Sequence, residues 1–147
     1  MAELFDILGR AAMRLSAAIE QVITNSDYEQ VEGFDIVTVE RGNVQADHLN
    51  NQIIVNQDGL FDVSIGIDAE FAQNSELDIA VYVNNQPYSN NPASIQGRGS
   101  SKPVSLAWNS LTDLAAGDVI EVRAQSADSD NLAVLFRRLY FSVTADS

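Results

Sequence analysis

Any chemistry in this sequence falls to carboxylates. Asp62, Asp68 and Glu70 share one parity of an alternating stretch, and Asp128 and Asp130 stand either side of Ser129. Glycoside hydrolysis needs two carboxylates facing each other across a cleft, with further groups to hold the sugar. Spacing along one strand face supplies no cleft, and a solvated sheet face produces the same pattern, so a non-enzymatic protein is expected. Asp128-Ser129-Asp130-Asn131 is dense in the hard oxygens that calcium takes, yet it lacks the ligand ladder of a dedicated calcium loop. A solvated acidic turn is the expectation there. There is no cysteine, which removes disulfides, thiolate zinc sites and thiol nucleophiles. His48 is the single histidine, set in Ala46-Asp47-His48-Leu49, so histidine triads and multi-histidine metal sites are absent and a surface role is expected. The catalytic, cofactor and metal expectation is none.

The elements that must position these groups are bounded by composition. The chain has 147 residues, 46% of them hydrophobic, which suits one globular domain with a small appendage. Its 21 acidic residues against 8 basic ones give a net charge of −13, so a polyanionic nucleic acid is not an expected partner. The same charge serves solubility, or attracts a partner with a basic surface. No apolar run approaches the roughly 18 residues of a membrane span, and Met1 to Phe5 lack the basic flank and apolar block of a secretory signal. No membrane partner is expected, and synthesis in the host cytoplasm without secretion is.

The composition changes near Asn25. Before it the chain is rich in Ala, Leu and Ile with one glycine and no proline, which is helix-forming composition. Leu4, Leu8, Ala11, Leu15, Ala18 and Val22 follow heptad spacing, and Phe5, Ala12 and Ile19 on one side and Ile7 on the other widen the stripe. Residues 1–24 are therefore expected to form one amphipathic α-helix. A lone helix with so broad an apolar face must bury it against copies of itself, its own β domain or another protein. Leu4, Phe5, Leu8, Ala11, Leu15, Ile19 and Val22 are its expected docking or oligomerisation residues. Residues 25–33 read as a polar linker.

From Phe34 onward period-two alternation dominates. Phe61, Val63, Ile65, Ile67, Ala69 and Phe71 fall on one face while Asp62, Ser64, Gly66, Asp68 and Glu70 fall on the other, which specifies a half-buried antiparallel strand. Further strands are expected around 34–39, 52–55, 77–83, 93–96, 104–108 and 119–124. Over 131–144 the alternation changes phase at Arg137-Arg138, which calls for a bulge within one strand or a break between two. Strands this short and numerous, with no repeat, give an antiparallel two-sheet sandwich or a barrel over residues 34–147.

Three pieces of this region resemble the TNF/C1q-like jelly roll. They are Asp58-Gly59-Leu60-Phe61-Asp62-Val63-Ser64-Ile65, Val81-Tyr82-Val83-Asn84-Asn85, and Leu114-Ala115-Ala116-Gly117-Asp118-Val119-Ile120-Glu121-Val122. Asn85 stands where the family often has glycine, and Arg137-Arg138 where it usually has a glycine turn between its last two strands. The resemblance implies a homotrimer packed through an aromatic-rich sheet, with Tyr82, Trp108, Tyr140 and Phe141 as interface candidates. Tyr82 and Tyr140 lie off their strands' core parity, whereas Trp108 and Phe141 equally suit the sandwich core. The expected function is that of a non-enzymatic structural virion protein. It is a trimeric decoration (cement or head-fibre) protein that docks on bacteriophage capsid subunits and resides on the virion surface. The alternative is a trimeric receptor- or glycan-binding head of a phage tail fibre.

Overall fold

The computed structural model describes residues 9–88, 92–128 and 130–146. Thirteen strands follow one another among these residues: β1 (Arg10–Arg14), β2 (Ile19–Thr24), β3 (Glu29–Gln30), β4 (Ile36–Arg41), β5 (Val44–Asp47), β6 (Gln52–Val55), β7 (Gly59–Glu70), β8 (Glu76–Val83), β9 (Gln86–Pro87), β10 (Ala93–Gln96), β11 (Val104–Leu114), β12 (Val119–Ser126) and β13 (Asn131–Ala145). The first sheet runs β11-β7-β13-β1-β4, with β2 also paired to β13. The second runs β10-β8-β12-β6-β5, with β3 on β12 and β9 on β8. Every pairing is antiparallel. The two sheets bury one face each against the other, as a mainly β jelly-roll sandwich does.

Alternation places the core. Phe61, Val63, Ile65, Ile67 and Ala69 of β7 are buried, and so are Leu77, Ile79 and Val81 of β8. β13 is one strand with a bulge: Phe136 pairs with Ala69 and Arg138 with Asp68, so Arg137 is the extra residue. Leu132, Val134 and Phe136 before it and Leu139, Phe141 and Val143 after it all point into the core. The extra residue restores the phase, since a one-residue slip would otherwise turn the second half to solvent. The turn into β12 is built as its residues dictate. Gly117 takes φ +93°, its N–H donates to the Val55 carbonyl at 2.7 Å, and Asp118 Oδ2 accepts the Ala115 N–H at 2.8 Å.

The amino-terminal helix is overturned. Among the described residues the only helical element is one 3₁₀ turn, His48–Asn50. Ala11 lies within β1, Leu15 just after it, and Ile19 and Val22 within β2, while Leu4, Phe5 and Leu8 lie outside the described residues. β1 sits between β13 and β4 in the first sheet, with Ala11 facing Val143 and Met13 facing Phe141. Ala11, Met13, Leu15 and Ile23 belong to the sandwich core, whereas Ile19 and Val22 are exposed. The cause is tertiary: pairing with a strand some 130 positions later outweighs a local helix propensity worth tenths of a kcal/mol per residue. The 25–33 linker is likewise partly sheet, since Gln30 and Glu29 pair with Arg123 and Ala124. The head thus begins by Arg10, well before Phe34.

Candidate interface on the outward face of the first sheet

Because β7 sends its apolar residues inward, Asp62, Ser64, Gly66 and Asp68 face outward, and register carries that face across the sheet. One row reads Arg41, Arg10, Thr144, Asp62, Leu111; the next Val39, Ala12, Ser142, Ser64, Asn109. A third reads Ile36, Arg14, Tyr140, Gly66, Ala107, and beyond the bulge Arg138 faces Asp68 and Ser105. The centre is floored by small residues, Ala12, Ser64, Gly66, Ala107 and Ser142, around the ring of Tyr140. Nothing in the single subunit requires glycine at 66, since a Cβ there would meet only the Tyr140 Cβ, at 3.8 Å.

Most of the charges on this face are sorted, with Arg138 beside Asp68 and Glu20 on β2 the exceptions. Arg10, Arg14 and Arg41 stand on β1 and β4, and Asp62, Asp68 and Asp113 on β7 and β11. Arg10 Nη2 donates to the Tyr140 hydroxyl at 3.0 Å. Arg10 Nε and Asp62 Oδ1 are the two buried side-chain polar atoms without a hydrogen-bond partner among the described residues, and both belong to one row. A buried polar group without a partner costs stability and calls for an explanation. Among the described residues seven large hydrophobic residues stay exposed, and three of them, Val22, Leu60 and Leu111, lie on this face.

The four aromatic candidates separate. Tyr140 is on this face, half-buried. Phe141 is wholly inside the core, tilted against Phe34 with ring centroids 5.9 Å apart. Trp108 pairs with Ile65 and, partly buried, packs on the core from the inward side, so both side chains point away from the outward face of the first sheet. Tyr82 faces outward from the other sheet, where the Arg123 guanidinium lies 4.1 Å over its ring and Tyr28 packs at 5.9 Å. It lies on the opposite surface of the sandwich from Tyr140.

Several other charged groups are tied into the fold by hydrogen bonds and ion pairs. Glu70 Oε2 accepts from Arg137 Nε at 2.5 Å and Oε1 from the Ser101 N–H at 2.9 Å; the arginine hydrogen bond holds the carboxyl below its ordinary value, ionised and unsuited to act as an acid. Asp68 accepts from Ser105 Oγ at 2.6 Å, so the three carboxylates of β7 share a face without forming a facing pair. Among the described residues no three His, Cys, Asp or Glu side chains are placed to hold a metal ion. Asp128 accepts the Glu76 N–H at 3.5 Å, and His48 is exposed in its 3₁₀ turn. On the second sheet Glu121, which sequence reasoning passed over, is 5% exposed; its Oε2 accepts from Gln30 at 3.0 Å and Gln52 at 3.1 Å, and its Oε1 pairs with Arg123. An alternating strand with a charge at an outward position is no signal of burial, because it is the folded-back 25–33 segment that covers it.

Glu76 carries a pH effect. The charge of Asp78 first, then desolvation and the charge of Asp128, push its carboxyl above the ordinary value. A carboxyl raised on folding costs stability once ionised, and the cost disappears as pH falls through the raised value. Glu76→Gln is expected to raise the thermal midpoint by about 1–2 °C at pH 7 and to change nothing near pH 3. Thermal unfolding at the two pH values checks this, and an equal gain at both would contradict the charge origin.

No protein-family model matches the sequence, and no curated protein does. Solved structures do match. Eiger TNF from S. frugiperda superposes with a TM-score of 0.67 at 11% identity, covering 97% of this chain and 94% of that one. Murine APRIL at pH 5.0 gives 0.60 at 10% identity, covering 95% and 100%, and at pH 8.5 it gives 0.59 at 11%, covering 93% and 99%. Identity this low speaks for the fold alone, and what it shows is that this chain is a TNF-like jelly roll.

Proposed function

We propose that the protein is a non-enzymatic structural subunit that closes into a homotrimer through the outward face of its first sheet and decorates a viral capsid as a cement or head-fibre protein. The observation that carries the self-association is the sorted face. In a chain of net charge −13, three of only eight basic residues gather on β1 and β4, facing carboxylates across a floor of small side chains. A surface positive along one side and negative along the other is complementary to a second copy of itself. Threefold closure is what the jelly-roll resemblance adds.

Around a threefold axis every surface loop is presented three times, so three weak capsid contacts would act together and gain avidity that one lacks. The acidic heads would keep decorated particles mutually repulsive. With residues 10–24 built into the sheets, the docking contact falls to the surface of the head rather than to a helical foot. The test is co-sedimentation with purified phage capsids and, separately, with host cells. Pelleting with capsids is expected. Pelleting with cells alone would overturn decoration in favour of the receptor- or glycan-binding head of a tail fibre.

A further inference from the structure

On the side of the molecule away from the sorted face, a cleft of about 240 Å³ lies beside the Asn84–Asn85 turn, lined by Gln52, Asn84, Asn85, Val119 and Glu121. We propose that this cleft binds a neutral saccharide. Its polar side chains are all held by hydrogen bonds within the fold, and two of them have an amide group left to offer. Asn84 is bonded at both ends of its amide: its Oδ1 accepts the Val119 N–H at 2.9 Å and its Nδ2 donates to Asp118 at 2.7 Å, which locks the turn. Asn85 Oδ1 accepts from Arg123 Nη2 at 2.8 Å, leaving its Nδ2 as a donor. Gln52 Nε2 donates to Glu121 at 3.1 Å, leaving its Oε1 as an acceptor. Glu121 itself, nine-tenths buried, is held by Gln30, Gln52 and Arg123.

The cleft therefore presents a donor, an acceptor and a carboxylate in a rigid frame. Asn84 and Asn85 sit at φ 52° and 66°, the left-handed pair of a tight turn, and their side-chain hydrogen bonds hold both amides. A sugar hydroxyl donates and accepts at once, so a mixed donor–acceptor set suits a polyol better than it suits a purely anionic or cationic group. The one lining carboxylate, Glu121, is neutralised by Arg123, so the cleft offers a neutral polar set rather than a charge for an ionic ligand. Because the side chains are already held, binding costs little further ordering. With no aromatic ring in the lining, affinity for one hexose is on the order of millimolar.

The probes are glucose, galactose, mannose and N-acetylglucosamine, each titrated to about 50 mM, with the Gln52 and Asn85 side-chain amides followed by ¹⁵N NMR. At least one sugar is expected to shift both amides saturably. Asn85→Asp keeps the acceptor for Arg123 and tolerates the left-handed turn but loses the free donor, and it should weaken that binding at least tenfold. Gln52→Met, which removes the free acceptor, serves the same purpose should the first variant misfold. No shift with any of the four sugars, or shifts undiminished in the folded variant, would overturn the assignment. Neither outcome depends on whether the first sheet self-associates.

Discussion

Removing residues 1–24 is expected to leave a chain that does not fold. The truncation takes away β1, paired on both sides, and β2, and with them Met13, Leu15 and Ile23 from the core. Each such side chain contributes about 1.5–3 kcal/mol by burial, so the three together approach the whole stability of an ordinary domain, about 5–15 kcal/mol. The loss also opens the inner faces of Phe136 and Phe141 and leaves the backbone of β13 and β4 unpaired where β1 and β2 had covered it. Circular dichroism and NMR dispersion of the truncated protein check this. A soluble, well-dispersed head lacking residues 1–24 would mean that the first strand is dispensable.

A single large charge at the middle of the first sheet's outward face is expected to abolish self-association without harming the subunit. Ala107 is exposed and faces Gly66, beside Tyr140. In the lone subunit Ala107→Arg projects into water, where substitutions usually change stability by within about 0.5 kcal/mol. Buried against another copy, the guanidinium overfills a floor of alanine, serine and glycine and adds a positive charge to the acidic side of the face. The cost of several kcal/mol weakens association by on the order of a hundredfold or more. Sedimentation velocity on the variant should show one subunit with an unchanged thermal midpoint, whereas Ala107→Ser should associate as the parent does. Undiminished assembly of the Ala107→Arg variant would move the interface to another face.

The half of the fold that alternates cleanly was legible. β7 and β8 carry their inward positions in phase, and the phase change at Arg137-Arg138 marks the bulge that keeps β13 continuous. The first 24 residues mislead for a specific reason. Residues four apart share a face in a helix and in a strand alike, so Ala11 and Leu15 satisfy both periods. Met13 decides between them, being off the helical stripe yet wholly buried between Ala11 and Leu15 on the strand. Ile23 and Val22 repeat the lesson, since the heptad favours Val22 and the sheet buries Ile23. Ala12 hides the alternation further, for it is outward in register and still fully covered.

The site was legible only to the level of parity. Parity puts Tyr82 and Tyr140 off the core, correctly for each strand, but it does not say which sheet a strand joins. That is set by pairing between β8 and β12 and between β13 and β7, which puts the two tyrosines on opposite surfaces. The sorting of Arg10, Arg14 and Arg41 against Asp62, Asp68 and Asp113 is likewise invisible in the linear order, because only register brings those residues onto one plane.

Everything proposed for the first sheet rests on subunits meeting through it, and the molar mass of the intact protein in dilute solution measures that directly. Light scattering coupled to size exclusion at moderate salt should return three times the 16.0 kDa chain. A single 16.0 kDa species at concentrations up to about 100 μM, where even a weak homotrimer would be populated, would contradict the account.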